Sequence, residues 1–485
     1  MIKILVCSIL LSGNIFSQNI SWDRYTIIPP LGRVKSIATS PLEVFAISDN
    51  YLLIFDKQTL ALRKTIYFDE DISLVGYDHQ YNDIWIVGTA NIIRLTVVTY
   101  SMIEYTFTSE IGRFGVGKDY LFLDGVKDYS LNKKTGEIKV IQTFPGDVVW
   151  FNKTATADIR KYPFLTPYYY TDEQLESEAP FDQFPITALS DDGIYLYVGT
   201  HGYGILKYNK ISWQKQRIIY GPLDSKIRKA KKFNNTICFI TSQGLSYYPT
   251  TADNWKYRRF IHQIADLLFI DNKFVIGFEN RISRVDGSMI FSISNFTTEV
   301  HELDSDEQYI YVGTHSGLFK MYKGTSEPIP FGPDRFPVYA IHSTQDAIFV
   351  GGEYAFYKYS KVNKMWLTVL PYGVKDIAEI EDELYLLGVN NQIIKYKKTQ
   401  GDDLGNVDTN WILLPYFNIY DIDNDNEVLY CASYAGIYYY EPHTELYKVV
   451  YNLPRIKYDY VFLTENNIVA VSRSTIYSLP LKYRD

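Results

Sequence analysis

The residues of this chain best suited to chemistry are scattered along it, and none sits in a complete motif. His201 and His315 recur at equivalent places, in Tyr197-Val198-Gly199-Thr200-His201 and Tyr311-Val312-Gly313-Thr314-His315. Two imidazoles can share a metal ion. Other copies of the same pattern carry Ala90, Ser242 or Glu353 there, so the position reads as a polar turn residue. Asp421-Ile422-Asp423-Asn424-Asp425-Asn426-Glu427 begins like a calcium loop. Such a loop needs Gly at its sixth position and Glu at its twelfth. Here Asn426 and Ala432 stand instead, and the segment is read as a turn between two strands. Asp402, Asp403, Asn406 and Asp408 share one acidic insertion, which reads as a solvated loop.

Ser190-Asp191-Asp192-Gly193 has part of the spacing of a sialidase Asp-box but lacks its aromatic residue. Neither G-x-S-x-G, HExxH nor a P-loop is present. The sequence therefore predicts no catalytic residue, no cofactor and no metal. Calcium at the two acidic segments is the one ion left open.

The totals narrow the partners. Lys and Arg number 48 against 56 Asp and Glu, for a formal charge of −8. A mildly acidic total argues against nucleic acid, which needs a basic patch or stripe. Aromatic residues make up 16% and tyrosine alone counts 44, a composition that suits half-buried strands. Cys238 and Cys431 each lie in an apolar run and read as buried free thiols; a bond between them would need suitable geometry. Lys3, the apolar run from residue 4 to 11 and Ser17 before Gln18 read as a signal peptide over residues 1–17. No later segment has the roughly 18 consecutive apolar residues of a membrane span. The expectation is an exported protein, periplasmic or secreted to the cell surface.

What must position any site is a repeat. The Tyr-Val-Gly-Thr pattern has weaker copies at Trp85–Thr89, Phe349–Gly352 and Tyr385–Gly388. Small or polar residues ending the same run recur about every 36 to 44 residues. One gap is about twice that, and Asp158–Tyr162 is read as a degenerate copy within it. The sum is about twelve units of roughly 39 residues. Each unit holds four short strands: Ile186–Ser190, Ile194–Thr200, Ile205–Tyr208 and Trp213–Tyr220 in the clearest one. Four strands in about 40 residues mark a propeller blade. The glycines are read as turn residues free to adopt positive φ. Trp22, Trp213, Trp255, Trp366 and Trp411 open fourth strands and read as packing between blades.

The expected fold is all-β, a β-propeller with two rings of about six blades. The expected domains are 18–260 and 261–485. Ile20–Ile28 matches Ile211–Ile219, a fourth strand, whereas the last unit stops after its third. The N-terminal strand should therefore complete the C-terminal blade, so that one ring draws on both chain ends.

Asp192-Gly193-x-x-Leu196-Tyr197-Val198-Gly199-Thr200, followed by Gly204-Ile205-Leu206-Lys207-Tyr208, resembles the two-component-regulator propeller repeat. The resemblance implies the tandem propellers of periplasmic ligand sensors. No kinase, helix-turn-helix or membrane span follows the repeat in this sequence, so the resemblance implies fold more than function.

One segment departs from the repeat. Pro163–Tyr170 replaces a fourth strand, Thr171–Gln174 fits a capping box that predicts a short helix from Asp172 to Glu178, and Pro180–Pro185 leads onward. Tyr168, Tyr169, Tyr170, Phe181 and Phe184 are the candidate contact residues for a partner or ligand, or else a plug between rings. The function expected is a non-catalytic exported propeller binding a protein or a cell-envelope polymer. The alternatives are a carbohydrate-binding or carbohydrate-cleaving propeller, marked by carboxylates and aromatics converging in a central funnel, and a sensor subunit docking on a separate membrane kinase.

Overall fold

The computed structural model describes residues 24–107, 110–152, 159–162, 164–170, 183–223, 226–233, 236–249, 255–260, 262–286, 289–332, 336–398, 410–412 and 418–484. They form eleven antiparallel sheets in a β-propeller arrangement and contain no α-helix. The chain divides into two compact units, one over 32–170 and 183–219, the other over 24–31 and 220–485. The division falls after Ile219, earlier than the boundary near residue 260 that spacing suggested.

The second unit holds seven four-stranded sheets. Their inner strands are Ile227–Phe233, Ile264–Ile270, Val300–Ser305, Val338–Ser343, Val374–Ile380, Ile419–Asn424 and Tyr460–Leu463, here blades one to seven. Each inner strand packs on the next. The Tyr460 hydroxyl donates to the Arg228 carbonyl and Ile227 N–H to Arg473 O, which joins blade seven to blade one. The missing strand of blade seven is Thr26–Ile28, which pairs with Thr475–Pro480 in the register Thr26↔Ser478 and Ile28↔Ile476. The N-terminal strand thus closes the C-terminal blade as expected, and blade seven gains an edge strand from the far end of the chain.

The first unit holds four sheets. Two have a fifth strand on the inner side: Val149–Asn152 beside Ile111–Val116, and Tyr168–Tyr170 beside Gln183–Asp191. These strands occupy the stretch in which the sequence suggested a twelfth unit. Its marker segment instead makes a 3-10 turn over Ile159–Lys161. Pro163 follows at once, and proline cannot donate to a strand ladder.

Cores lie as slabs between successive sheets. One gathers Phe45, Ile54, Val75 and Ile86 from the first two sheets of the first unit, and another gathers Tyr430, Tyr439, Tyr458 and Ile468 from blades six and seven. Second strands such as Glu43–Ser48 are buried at every residue, because sheets cover both faces.

The repeat glycines have a different cause from the one expected. Gly199, Gly277, Gly313 and Gly351 end second strands and none has positive φ. A Cβ on each would strike the first residue of a neighbouring inner strand: Val34 Cγ1 at 2.5 Å, Val300 Cγ1 at 3.0 Å, Val338 Cγ1 at 2.7 Å and Val374 O at 2.4 Å. They are glycine for close approach. Trp213 also departs from expectation. Its φ of 58° places it in the turn before the strand Lys215–Ile218, largely exposed, with its ring 4.5 Å from that of Phe164. Trp255 is buried, as packing residues are. Cys238 and Cys431 are free and buried.

Candidate functional site

Six inner strands of the second unit open on Val or Ile, with a β-bulge between the first and third residues. The bulge turns the third and following residues toward the channel at the ring centre. That wall carries Lys229, Lys231, Glu302, Asp376, Asp421 and Asp423, with Tyr339, Tyr420 and Tyr460, around a cavity of about 470 Å3.

The carboxylates obey a positional rule. The third residue of one inner strand accepts the N–H of the fourth residue of the next. Asp266 takes Leu303 N at 2.6 Å and Asp376 takes Ile422 N at 3.3 Å, while in the shorter strand of blade seven Asp421 takes the second residue, Val461 N, at 2.9 Å. The fifth residue accepts from further along the next strand: Asp304 takes Ser343 N, the sixth residue, and Asp423 takes Leu463 N, the fourth of the shorter blade-seven strand, both at 2.7 Å. In the first unit Ser36, also third in its inner strand, accepts from Val75 N, the second residue of Leu74–Asp78, at 3.1 Å. These side chains stand in for a backbone ladder that strands of separate sheets cannot make. A buried N–H left without an acceptor costs about 1–3 kcal/mol, so each carboxylate has a structural task first.

The repeated register also sets direction: all inner strands begin at one end of the ring.

Charge is matched unevenly around the channel. Lys231 Nζ lies 2.5 Å from Asp266 Oδ2 and 2.8 Å from Glu302 Oε1, and Lys229 bonds the same two acids. Burial alone would raise the pKa of Asp266, but the two lysines outweigh it and hold it below the ordinary carboxylate value. At other carboxylates of the inner strands the balance reverses. Burial raises Asp304 and Asp376 to about 6, although Asp376 accepts N–H bonds on both oxygens. Burial and the neighbouring Asp376 raise Asp421 well above 3.8. Lys375 stands beside them, its pKa lowered by burial, with Nζ 2.6 Å from Asn391 Oδ1.

The loops at the starting end of the ring carry exposed aromatics. Tyr354 and Tyr434 lie between second and third strands, and Tyr372 just before the inner strand of blade five. Each turn is tied to the loop entering its own blade, by Glu353 N to Pro337 O, Val389 N to Gly373 O and Tyr434 N to Asn418 O. The three tyrosines are therefore neighbours on one face, over blades four to six.

The residues singled out from sequence fall elsewhere. Tyr168 is exposed in the inner strand Tyr168–Tyr170, whose residue Tyr170 pairs with Gln183. Tyr169 and Phe184 are buried against Tyr203, at ring distances of 5.3 Å and 4.5 Å, and help form the core of their sheet. Phe181 and the helix predicted from Asp172 lie outside the described residues, as does the acidic insertion with Asp402, Asp403, Asn406 and Asp408. Asp421 and Asp423 are not in a turn: they belong to the inner strand Ile419–Asn424, and Oδ2 of each accepts an N–H of blade seven. The turn follows at Asn424–Val428, where Asp425 Oδ1 accepts from Glu427 N and Val428 N. Asp192 Oδ1 likewise accepts from Ile194 N and Tyr195 N, which makes Ser190–Gly193 a side-chain-braced turn. Among the described residues no group of three His, Cys, Asp or Glu is placed to hold a metal ion.

The chain matches no family model and no curated protein. It is similar to several solved structures. The extracellular domain of a putative one-component system from B. thetaiotaomicron aligns with 92% of this chain and 69% of its own, at 11% identity and TM-score 0.42. Virginiamycin B lyase from Staphylococcus aureus aligns with 53% of this chain and 95% of its own, at 11% identity and TM-score 0.44. YCF48 from Cyanidioschyzon merolae aligns with 52% and 94%, at 9% identity and TM-score 0.44. The fold assignment rests on the sheets described above. No helix among the described residues is long and apolar enough to cross a membrane.

Proposed function

We propose that this chain is a non-catalytic, exported binding propeller that holds a protein partner or a cell-envelope polymer on the starting face of its seven-bladed unit. The observation that carries the reading is the face itself. Tyr354, Tyr372 and Tyr434 are each at least half exposed there on braced turns. Rigid aromatics of this kind anchor interfaces at low entropic cost. The channel carboxylates Asp376, Asp421 and Asp423 support the non-catalytic part, since each already accepts a neighbouring blade's N–H. The export reading rests on residues 1–17, outside the described residues. The resemblance of the repeat to sensor propellers supports a sensor subunit as a variant of the same binding role.

One observation favours a second reading. Asp376 and Asp421 do meet Tyr339, Tyr420 and Tyr460 in the central channel, the feature expected of a carbohydrate-active propeller. The test is capture by the tagged chain from cross-linked source cells, wild type against a Tyr354→Ser, Tyr372→Ser, Tyr434→Ser variant. Loss of one stoichiometric partner in the variant supports the proposal. Glycan hydrolysis abolished by Asp421→Asn would replace it with the second reading.

A further inference from the structure

The arc of the channel from blade six through blade seven to blade one differs from the matched side. It starts at Asp421. Oδ2 accepts Val461 N–H, and Oδ1 has no hydrogen-bond partner among the described residues. Burial and the neighbouring Asp376 raise the pKa of Asp421, and Lys375 offsets this only in part. The arc ends at Arg228, an exposed residue of the cavity wall whose guanidinium has neither an ion pair nor a hydrogen bond among the described residues. Only its backbone carbonyl is engaged, by the Tyr460 hydroxyl. Tyr460 also connects the two ends, since Asp421 raises its pKa after burial has done so. Tyr420, next to Asp421 in the chain, adds a second ring to the same wall. One free carboxylate oxygen, a guanidinium without a partner among the described residues and two tyrosines thus belong to one arc of a cavity of about 470 Å3.

We propose that this arc binds a small zwitterion, an α-amino acid or a dipeptide, with its carboxylate on Arg228 and its ammonium on Asp421. A guanidinium presents two parallel donors to a carboxylate. An ammonium brings three donors, of which Asp421 Oδ1 and the face of Tyr460 can each receive one; Tyr420 already carries Lys457 Nζ over its ring, 4.4 Å from the centroid. Simple anions or cations satisfy one end and leave the other charge facing them. The inference is independent of the macromolecular partner, because the three exposed tyrosines of the face do not line the cavity.

Isothermal titration of the full chain with the free amino acids and L-alanyl-L-alanine tests it. The expected result is saturable binding of at least one, weakened about tenfold or more when either its amine is acetylated or its carboxylate amidated. In Arg228→Gln the amidation should cost nothing further, and in Asp421→Asn the acetylation should cost nothing further. Arg228→Gln breaks no contact in the structure, so it remains informative if Asp421→Asn, which alters a brace to blade seven, fails to fold. Absence of binding to any of these probes at millimolar concentration overturns the proposal. So does binding that is indifferent to the caps or to Arg228→Gln.

Discussion

Gly313 and Val338 share a space too small for one more carbon: a Cβ on Gly313 would lie 2.7 Å from Val338 Cγ1. Gly313 ends the second strand of blade three and Val338 opens the inner strand of blade four. The contact is between blades, so Gly313→Ala must push two sheets apart. The expected cost is about 1–3 kcal/mol. Thermal unfolding should show it as a lower Tm. Gly146→Ala, with nothing within 4 Å of the added carbon, should leave Tm unchanged.

Deletion of residues 1–31 should destabilise the seven-bladed unit specifically. It removes the strand Thr26–Ile28 and exposes the edge of Thr475–Pro480. It also removes Leu31, which is buried and donates its N–H to Pro222 O at 2.7 Å. Hydrogen exchange should rise in Asn467–Pro480 and stay unchanged in Glu43–Asp56.

Stability should fall as pH rises from about 4 to about 7. Asp304 and Asp376 titrate at about 6 when folded and at an ordinary 3.8 when unfolded. Between those values the folded state binds protons that the unfolded chain does not, and this stabilisation is lost as pH climbs through the folded pKa. Glu379, held at about 2 first by a hydrogen bond from His342, acts oppositely. Its contribution is present above the ordinary carboxylate pKa and is lost as pH falls toward 2. The seven-bladed unit should therefore be most stable near pH 4–5. In Asp304→Asn the decline between pH 4 and 7 should be shallower, as read by Tm against pH.

Cys238 and Cys431 should be inert to thiol reagents in the native protein. Both are fully buried, and burial raises both thiols well above their ordinary pKa, Cys238 to about 12. Titration with a chromogenic disulfide should report no native reaction and two thiols after denaturation, if residues 1–17 are absent. Rapid native modification of either would contradict the packing described.

The repeat was legible because its glycines, apolar second strands and Asp- or Asn-braced turns are local features. Ile205–Asn209 and Tyr195–Thr200 lie within a residue of where pattern alone puts them. The orphan strand at Thr26–Ile28 was legible for the same reason, as a copy of Ile211–Ile219. The channel was not. Asp421 and Asp423 look like turn residues in sequence, because alternating acids in a strand make sense only when another blade's N–H groups face them. The signal available was positional: an acid two or four residues after the Val or Ile that opens an inner strand, as in Asp266, Glu302, Asp304 and Asp376. The blade count also eluded the pattern, since Val149–Asn152 and Tyr168–Tyr170 join neighbouring sheets where a separate blade was expected.

The central claim is that the starting face of the seven-bladed unit holds a macromolecular partner. Its most direct test is quantitative cross-linked capture from source cells with the wild type and the Tyr354→Ser, Tyr372→Ser, Tyr434→Ser variant, after circular dichroism has confirmed that both are folded. The wild type should recover one partner in stoichiometric yield and the variant should recover about tenfold less or lower. Equal recovery of that partner by both proteins would contradict it.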